Sequence, residues 1–307
     1  MNRTNFSFSS QGGTALAAVL WMPEGEVKAV LQIAHGMTEH MGRYEAFAQS
    51  LLPLGIAVAG FDLRGHGSNP GDPRVASFRE GGWEASLADM HLFFTHLHRR
   101  FPGVPHYLLG FSLGSFLLRE YLGQYPDGIA GAIIMGTGHQ SSGVLSVIRC
   151  IVRSQIRKAG FDQTTPLVRQ LSFGTYNQSF RPNRTEADWL CADPQSLDQY
   201  LADPLVRRDI SSGLFYELLG SMQRTGRRQA YLGWDCKTPI LLLSGQDDPV
   251  GSSGKGVRSV HQQMHKAGLT NVTLRLFPGA RHDLLHESAN GTAEAACRCI
   301  ADFLLKG

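Results

Sequence analysis

The sequence predicts an α/β fold with a largely parallel, doubly wound sheet, and three observations carry that reading. Apolar runs of β type alternate with segments of helical periodicity from residue 27 onward. One such run, residues 106–111, turns at Gly110-Phe111-Ser112-Leu113-Gly114 straight into an apolar-periodic helix reaching Tyr125. The alternation then stops at Gly138 and resumes only at Pro239. With 307 residues, 42% apolar and 18% charged, the chain is long enough to bury a large core.

The elements follow in order. Residues 5–9 and 14–21 alternate apolar and polar around Gln11-Gly12-Gly13, which predicts a β-hairpin. Residues 27–34 form an apolar run suited to a strand buried on both faces. A helix is expected at 44–53, a strand at 55–61, and then a glycine-rich loop from Asp62 to Gly71. Leu87, Met90, His91, Phe94 and Leu97 recur at helical spacing, which predicts a long amphipathic helix over 83–101. Strands at 106–111, 130–135, 239–245 and 272–277 and a last helix at 291–305 bring the expected count to eight strands. Residues 139–235 show helical periodicity and polar loops but no convincing strand. They read as a helical cap inserted after the sixth strand, between core parts 1–138 and 236–307. An insertion there lies over the carboxyl ends of the strands, where open α/β sheets place their sites.

Composition narrows the function. A net charge of +3 implies no strong nucleic-acid or membrane field. No segment has the length of a spanning helix, and the N-terminus lacks a signal-peptide core, so a cytoplasmic location is expected. Five cysteines without metal-type spacing read as reduced core thiols. No metal and no organic cofactor is expected.

A serine hydroxyl is a weak nucleophile that needs a base, and the base needs an orienting acid. Ser112 stands at a strand-to-helix corner between two glycines, a setting that exposes Oγ and aims helix N–H groups at it. The motif also arises at ordinary turns, so its partners decide. One strand ends in Ser244-Gly-Gln-Asp-Asp-Pro-Val250 and the next is followed by Pro278-Gly-Ala-Arg-His-Asp283. Ser112, Asp248 and His282 thus stand at three strand ends in the order nucleophile, acid, base. Spacing from Gly245 favours Asp248 over Asp247, which reads as solvated or as a helix cap. The oxyanion needs two preorganised donors, for which the N–H groups of Leu113 and Met37 are the candidates. His35 reads as a structural hydrogen-bonding residue rather than a second base.

These segments together resemble an α/β-hydrolase of the monoacylglycerol lipase and lysophospholipase type, grouped with serine aminopeptidase-like hydrolases. His35-Gly36 with Glu39-His40 and Arg43-Tyr44 is similar to the family's HGxxEHxxRY segment, and Asp62 with Arg64-Gly-His-Gly-Ser68 to its DxRGHGxS loop. Phe173-Gly-Thr-Tyr-Asn177, Asp188-Trp-Leu190 and Tyr200 with Asp203-Pro204-Leu205 resemble the cap of a bacterial branch. The resemblance implies an α/β-hydrolase fold and hydrolysis of glycerol or glycerophospholipid esters. The family's elbow has histidine before the serine and a further glycine after the motif, where this chain has Phe111 and Ser115. His35, Phe111 and Ser115 are therefore expected to line the site.

Two rivals share the scaffold, an aminopeptidase, amidase or thioesterase on the same residues, and a non-catalytic binding protein. Residues 141–158 set Val144, Ile148, Ile151, Val152 and Ile156 against Arg149, Arg153 and Arg157. Packing apolar-side down on the core is favoured there over a lid that touches lipid, although a transient membrane contact through the cap is admitted. Arg224, Arg227 and Arg228 read as a solvated face. Beneath the cap, an enclosed and largely apolar acyl pocket is expected.

Overall fold

The computed structural model describes residues 2–10 and 12–306. Strands β1 (Asn2–Ser9) and β2 (Ala15–Met22) pair antiparallel as the expected hairpin, whose Gln11 lies outside the described residues. Then come β3 (Ala29–Ala34), α1 (Glu45–Leu51), β4 (Ile56–Phe61) and a two-residue strand β5 (Val75–Ala76). Helix α2 (Gly82–Arg100) leads to β6 (His106–Phe111), α3 (Leu113–Gln124) and β7 (Gly131–Met135). Between β7 and the next core strand lie α4 (Ser142–Ala159), α5 (Pro166–Ser172), α6 (Pro194–Ala202), a two-residue strand β8 (Asp209–Ile210) and α7 (Ser212–Thr225). The chain returns with β9 (Ile240–Gly245), α8 (Lys255–Lys266), β10 (Val272–Phe277) and α9 (Thr292–Leu304).

Eight strands form one sheet in the order β1-β2-β4-β3-β6-β7-β9-β10, and only the β1–β2 and β2–β4 pairings are antiparallel. Side chains alternate across it. On β6, Leu108 packs with α2 and α3 residues such as Leu87, Phe93 and Leu117. Tyr107 and Leu109 pack on the other face with Phe47 and Leu51 of α1 and Ile300 and Leu304 of α9. Covering both faces leaves β3, β4, β6 and β7 buried along their whole length, which is why apolar residues dominate them.

At the level of the fold, the structure departs from the expectations in three places. Asp209–Ile210 is a strand inside the segment where none was expected, pairing parallel with Val75–Ala76 and so stitching the loop after β4 to the insertion. Two residues are too few to show a period. Helix α4 does not present one apolar face. Leu145 and Val152 are buried, whereas Val144, Val147 and Ile151 are exposed. Arg149 is not solvated with its neighbours, because Nη1 donates to Gln223 Oε1 at 2.8 Å and the guanidinium lies 4.2 Å from the centre of the Tyr216 ring. Arg224, Arg227 and Arg228 are all exposed, as expected for a solvated face, and Arg224 also pairs with Glu120 at 2.9 Å. Of the cysteines expected in the core, Cys150 and Cys236 are exposed and Cys191 is buried.

Arg119 of α3 is buried and holds both ends of the insertion. Its Nη1 donates to Gly138 O at 3.2 Å and its Nη2 to Thr225 O at 2.7 Å. The insertion is thereby tied to the helix that begins at Ser112. Among the described residues, no helix is long and apolar enough to cross a membrane.

Candidate active site

The corner between β6 and α3 is set by close packing. A Cβ on Gly114 would lie 2.0 Å from Ala34 O, and one on Gly110 would lie 2.3 Å from Gly114 O. Only glycine lets the elbow helix approach β3 this closely. Ser112 between them takes φ 50° and ψ −115°, a strained conformation for a residue with a side chain. Its carbonyl accepts hydrogen bonds from Ser115 N at 2.8 Å and Ser115 Oγ at 2.6 Å. Ser115 is therefore a brace beneath the elbow. It is fully buried and does not line the cavity at Ser112, contrary to expectation.

His35 is also not at the cavity wall. Its Nδ1–H donates to Gly36 O at 2.8 Å and its Nε2 accepts from Leu63 N at 2.8 Å, so backbone groups occupy both ring nitrogens. Burial depresses its pKa against the opposing pull of Asp62 and Glu39, and the ring is neutral. Glu39 organises the next residues. Its Oε1 accepts from Gly36 N at 2.6 Å and Tyr44 OH at 2.7 Å, and its Oε2 from Arg43 Nε at 2.9 Å. The Gly36 N–H is thereby taken, and Met37 after it lines the same cavity as Ser112. Thr38 follows at φ 72°, its Oγ1 2.8 Å from the hydroxyl of Tyr200 on α6.

The turn after β9 buries Asp248 completely and leaves Asp247 exposed. Asp248 Oδ1 accepts from Val250 N at 2.8 Å and from His282 Nδ1 at 2.9 Å. That second bond puts the imidazole proton on Nδ1 and leaves a lone pair on Nε2. Nε2 is buried and, among the described residues, has no hydrogen-bond partner. The ring lies between Phe111 and Trp189, with centroids 4.9 and 5.2 Å away. Next to it, Asp283 bonds Arg43 Nη2 at 2.8 Å and His286 Nδ1 at 2.9 Å. Burial alone would raise the Asp283 carboxyl, but His286 and Arg43 hold it well below the usual carboxylate range. Asp283 is a charge in the wall with its partners in place.

Met37, Phe111, Ser112, Trp189, Tyr200 and His282 line one small cavity. It shares Thr38, Phe173, Trp189, Leu190 and Tyr200 with a neighbouring cavity of about 670 Å³ beneath the insertion. That larger space is not the enclosed apolar pocket expected, since Arg169, Arg207, Arg208, Glu186 and Asn177 also line it. Sequence reasoning placed Ser112, Asp248, His282, Met37 and Leu113 at one end of the sheet, and the structure brings them together there. It missed Trp189, Phe173 and Tyr200 as wall residues, although all three stand in the motifs read from the cap.

A family model described as "Hydrolase_4: Serine aminopeptidase, S33" matches residues 25–289. The chain is 26% identical to a monoacylglycerol lipase of Mycolicibacterium smegmatis over 93% of its own length and 92% of that protein. It is 27% identical to the Homo sapiens monoglyceride lipase, over 90% of this chain and 82% of that one. A crystal structure of a thermostable carboxyl esterase from Bacillus coagulans, bound to glycerol, has the same fold. Its TM-score is 0.87 at 22% identity, covering 100% of this chain and 99% of the other. The chain is an α/β-hydrolase and belongs to the Hydrolase_4 family, serine aminopeptidase S33.

Proposed function

We propose that the chain is a carboxylic ester hydrolase working through an acyl-enzyme on Ser112, with monoacylglycerol or lysophospholipid esters as its substrate class. The observation that carries this reading is the His282–Asp248 bond at 2.9 Å, with His282 Nε2 left free in the cavity that Ser112 lines. Asp248 fixes the tautomer in which Nε2 takes the Ser112 proton as Oγ attacks the acyl carbon. The N–H groups of Met37 and Leu113 stabilise the tetrahedral oxyanion, and Nε2 then protonates the departing alcohol. Water, activated by the same nitrogen, releases the acid. Residues 139–235 serve as the cap over this centre. Its exposed ridge of Val144, Val147 and Ile151 is the surface suited to brief contact with a lipid interface.

The family description favours a second reading, cleavage of an amide beside a free α-amino group. That needs a carboxylate to hold the amine, and Asp283, which lines the small cavity with His282, is already paired with Arg43 and His286. Comparing p-nitrophenyl esters with aminoacyl anilides separates the two. The ester reading predicts turnover of p-nitrophenyl butyrate and of monoacylglycerols that Ser112→Ala abolishes. Undiminished turnover in that variant would overturn it.

A further inference from the structure

The cavity of about 670 Å³ is lined by two chemically different sets of residues. Thr38, Phe173, Trp189, Leu190 and Tyr200 belong also to the small cavity at Ser112, so they mark the part that meets the reacting centre. Arg169, Arg207 and Arg208 line the larger cavity alone. Two of these three cations lack an acidic partner among the described residues. Arg169 pairs with Asp209 and feels Glu186. Arg207 is 5% exposed, and its N–H groups go to the carbonyls of Gly65, Gly67, Asn69 and Pro73. Burial lowers its pKa, and the more distant Asp62 and Asp72 oppose that only in part. Arg208 is exposed and gives one N–H to Leu201 O, and its charge reaches the phenol of Tyr200.

An acyl chain gains nothing from an arginine-lined wall, so that wall suits the polar, alcohol part of an ester. A surplus of cationic charge there favours an alcohol that is itself an anion. Arg207 has its donors engaged and contributes field. Arg208 keeps donors for a bidentate bond to a phosphate or carboxylate. We propose that this cavity selects acyl esters whose alcohol carries a phosphate or carboxylate group, with Arg208 as the residue that binds it. The proposal rests on the ester-hydrolase reading above.

The test compares kcat/KM for 1-decanoylglycerol, 1-decanoylglycerol 3-phosphate and the decanoyl ester of glyceric acid. At least one anionic ester should exceed the neutral one about tenfold at low salt, the equivalent of one charge-assisted contact. Which of the two leads identifies the anion. The advantage should shrink with added salt. It should fall to within about threefold in Arg208→Gln, as expected when that one contact is lost. Arg99→Gln, a surface change far from the cavity, should leave it intact. Equal rates on all three esters, or an advantage that survives Arg208→Gln, would overturn the proposal. Calorimetric binding of decyl phosphate against 1-decylglycerol ether to Ser112→Ala reads the same preference without turnover. Decyl phosphate binding no tighter, or equally tight in Ser112→Ala/Arg208→Gln, refutes the site even if no ester is cleaved. Loss of ester turnover with that binding preference intact refutes only the catalytic reading.

Discussion

The hydroxyl of Tyr200, carried by the inserted helix Pro194–Ala202, stands 2.8 Å from Thr38 Oγ1, one residue beyond the Met37 N–H. The Tyr200 ring also lies 4.8 Å beneath the Arg43 guanidinium, and Arg207 N donates to Thr38 O at 2.8 Å. His40 Nε2 and Asp203 Oδ2, 2.8 Å apart, add a fourth tie. The insertion therefore buttresses the loop proposed to hold the oxyanion.

Tyr200→Phe removes only the hydroxyl and should lower kcat about threefold to tenfold while KM stays near its original value. Steady-state kinetics on p-nitrophenyl butyrate reads the split. A rise in KM at constant kcat would instead assign Tyr200 to substrate contact.

Asp248 and Asp247 are adjacent, yet only Asp248 reaches His282. Asp248→Asn leaves the shape intact but favours the wrong imidazole tautomer, so kcat should drop by ~10³–10⁴. Asp247→Asn, at an exposed position, should retain more than about half the activity. Equal losses in the two variants would contradict the assignment.

Gly114→Ala would place a Cβ 2.0 Å from Ala34 O and 2.8 Å from His35 O, both backbone atoms that cannot step aside. We expect a loss of at least ~2 kcal/mol in urea unfolding, together with reduced soluble yield. Gly143→Ala in α4 meets nothing within 4 Å and should instead stabilise by about 0.5 kcal/mol.

Buried histidines shape the acid response, His66 and His106 among them. Burial, with His35 and Arg207 nearby, pushes His66 down to about 3, and burial together with His98 pushes His106 down to about 4. Both rings are neutral in the folded protein, while the unfolded chain takes up protons near about 6.5. Folding stability is then fully present above that pH and declines as pH falls from there toward the folded values. Urea midpoints should hold from pH 7.5 to about 6.5 and fall from there to pH 5, and His106→Gln should make that decline shallower. An unchanged slope in the variant would show that His106 takes no part.

Much of this was legible in the sequence because it rests on local pattern. The buried strands are mostly apolar on both faces, and the elbow, the acid turn and the histidine loop, each possible at an ordinary turn, fall in one order at three strand ends. What escaped depends on partners distant in the chain. Helix α8 is hard to see in the sequence because its composition is polar, although Val257, Val260 and Met264 keep a buried stripe. The two-residue strands at Val75–Ala76 and Asp209–Ile210 exist only through each other. Helix α4 shows helical periodicity, but which apolar residues it buries is decided by its packing on α7. The role of Trp189 needed the fold, since its neighbour His282 lies far along the chain.

The central claim is that His282 and Asp248 make Ser112 the nucleophile. Labelling with a fluorophosphonate probe, followed by mass-spectrometric peptide mapping and timed for each variant, tests it most directly. The account predicts one adduct, on Ser112, formed far more slowly in His282→Ala and Asp248→Asn. An adduct on another residue, or undiminished labelling of Ser112 without His282, would contradict it.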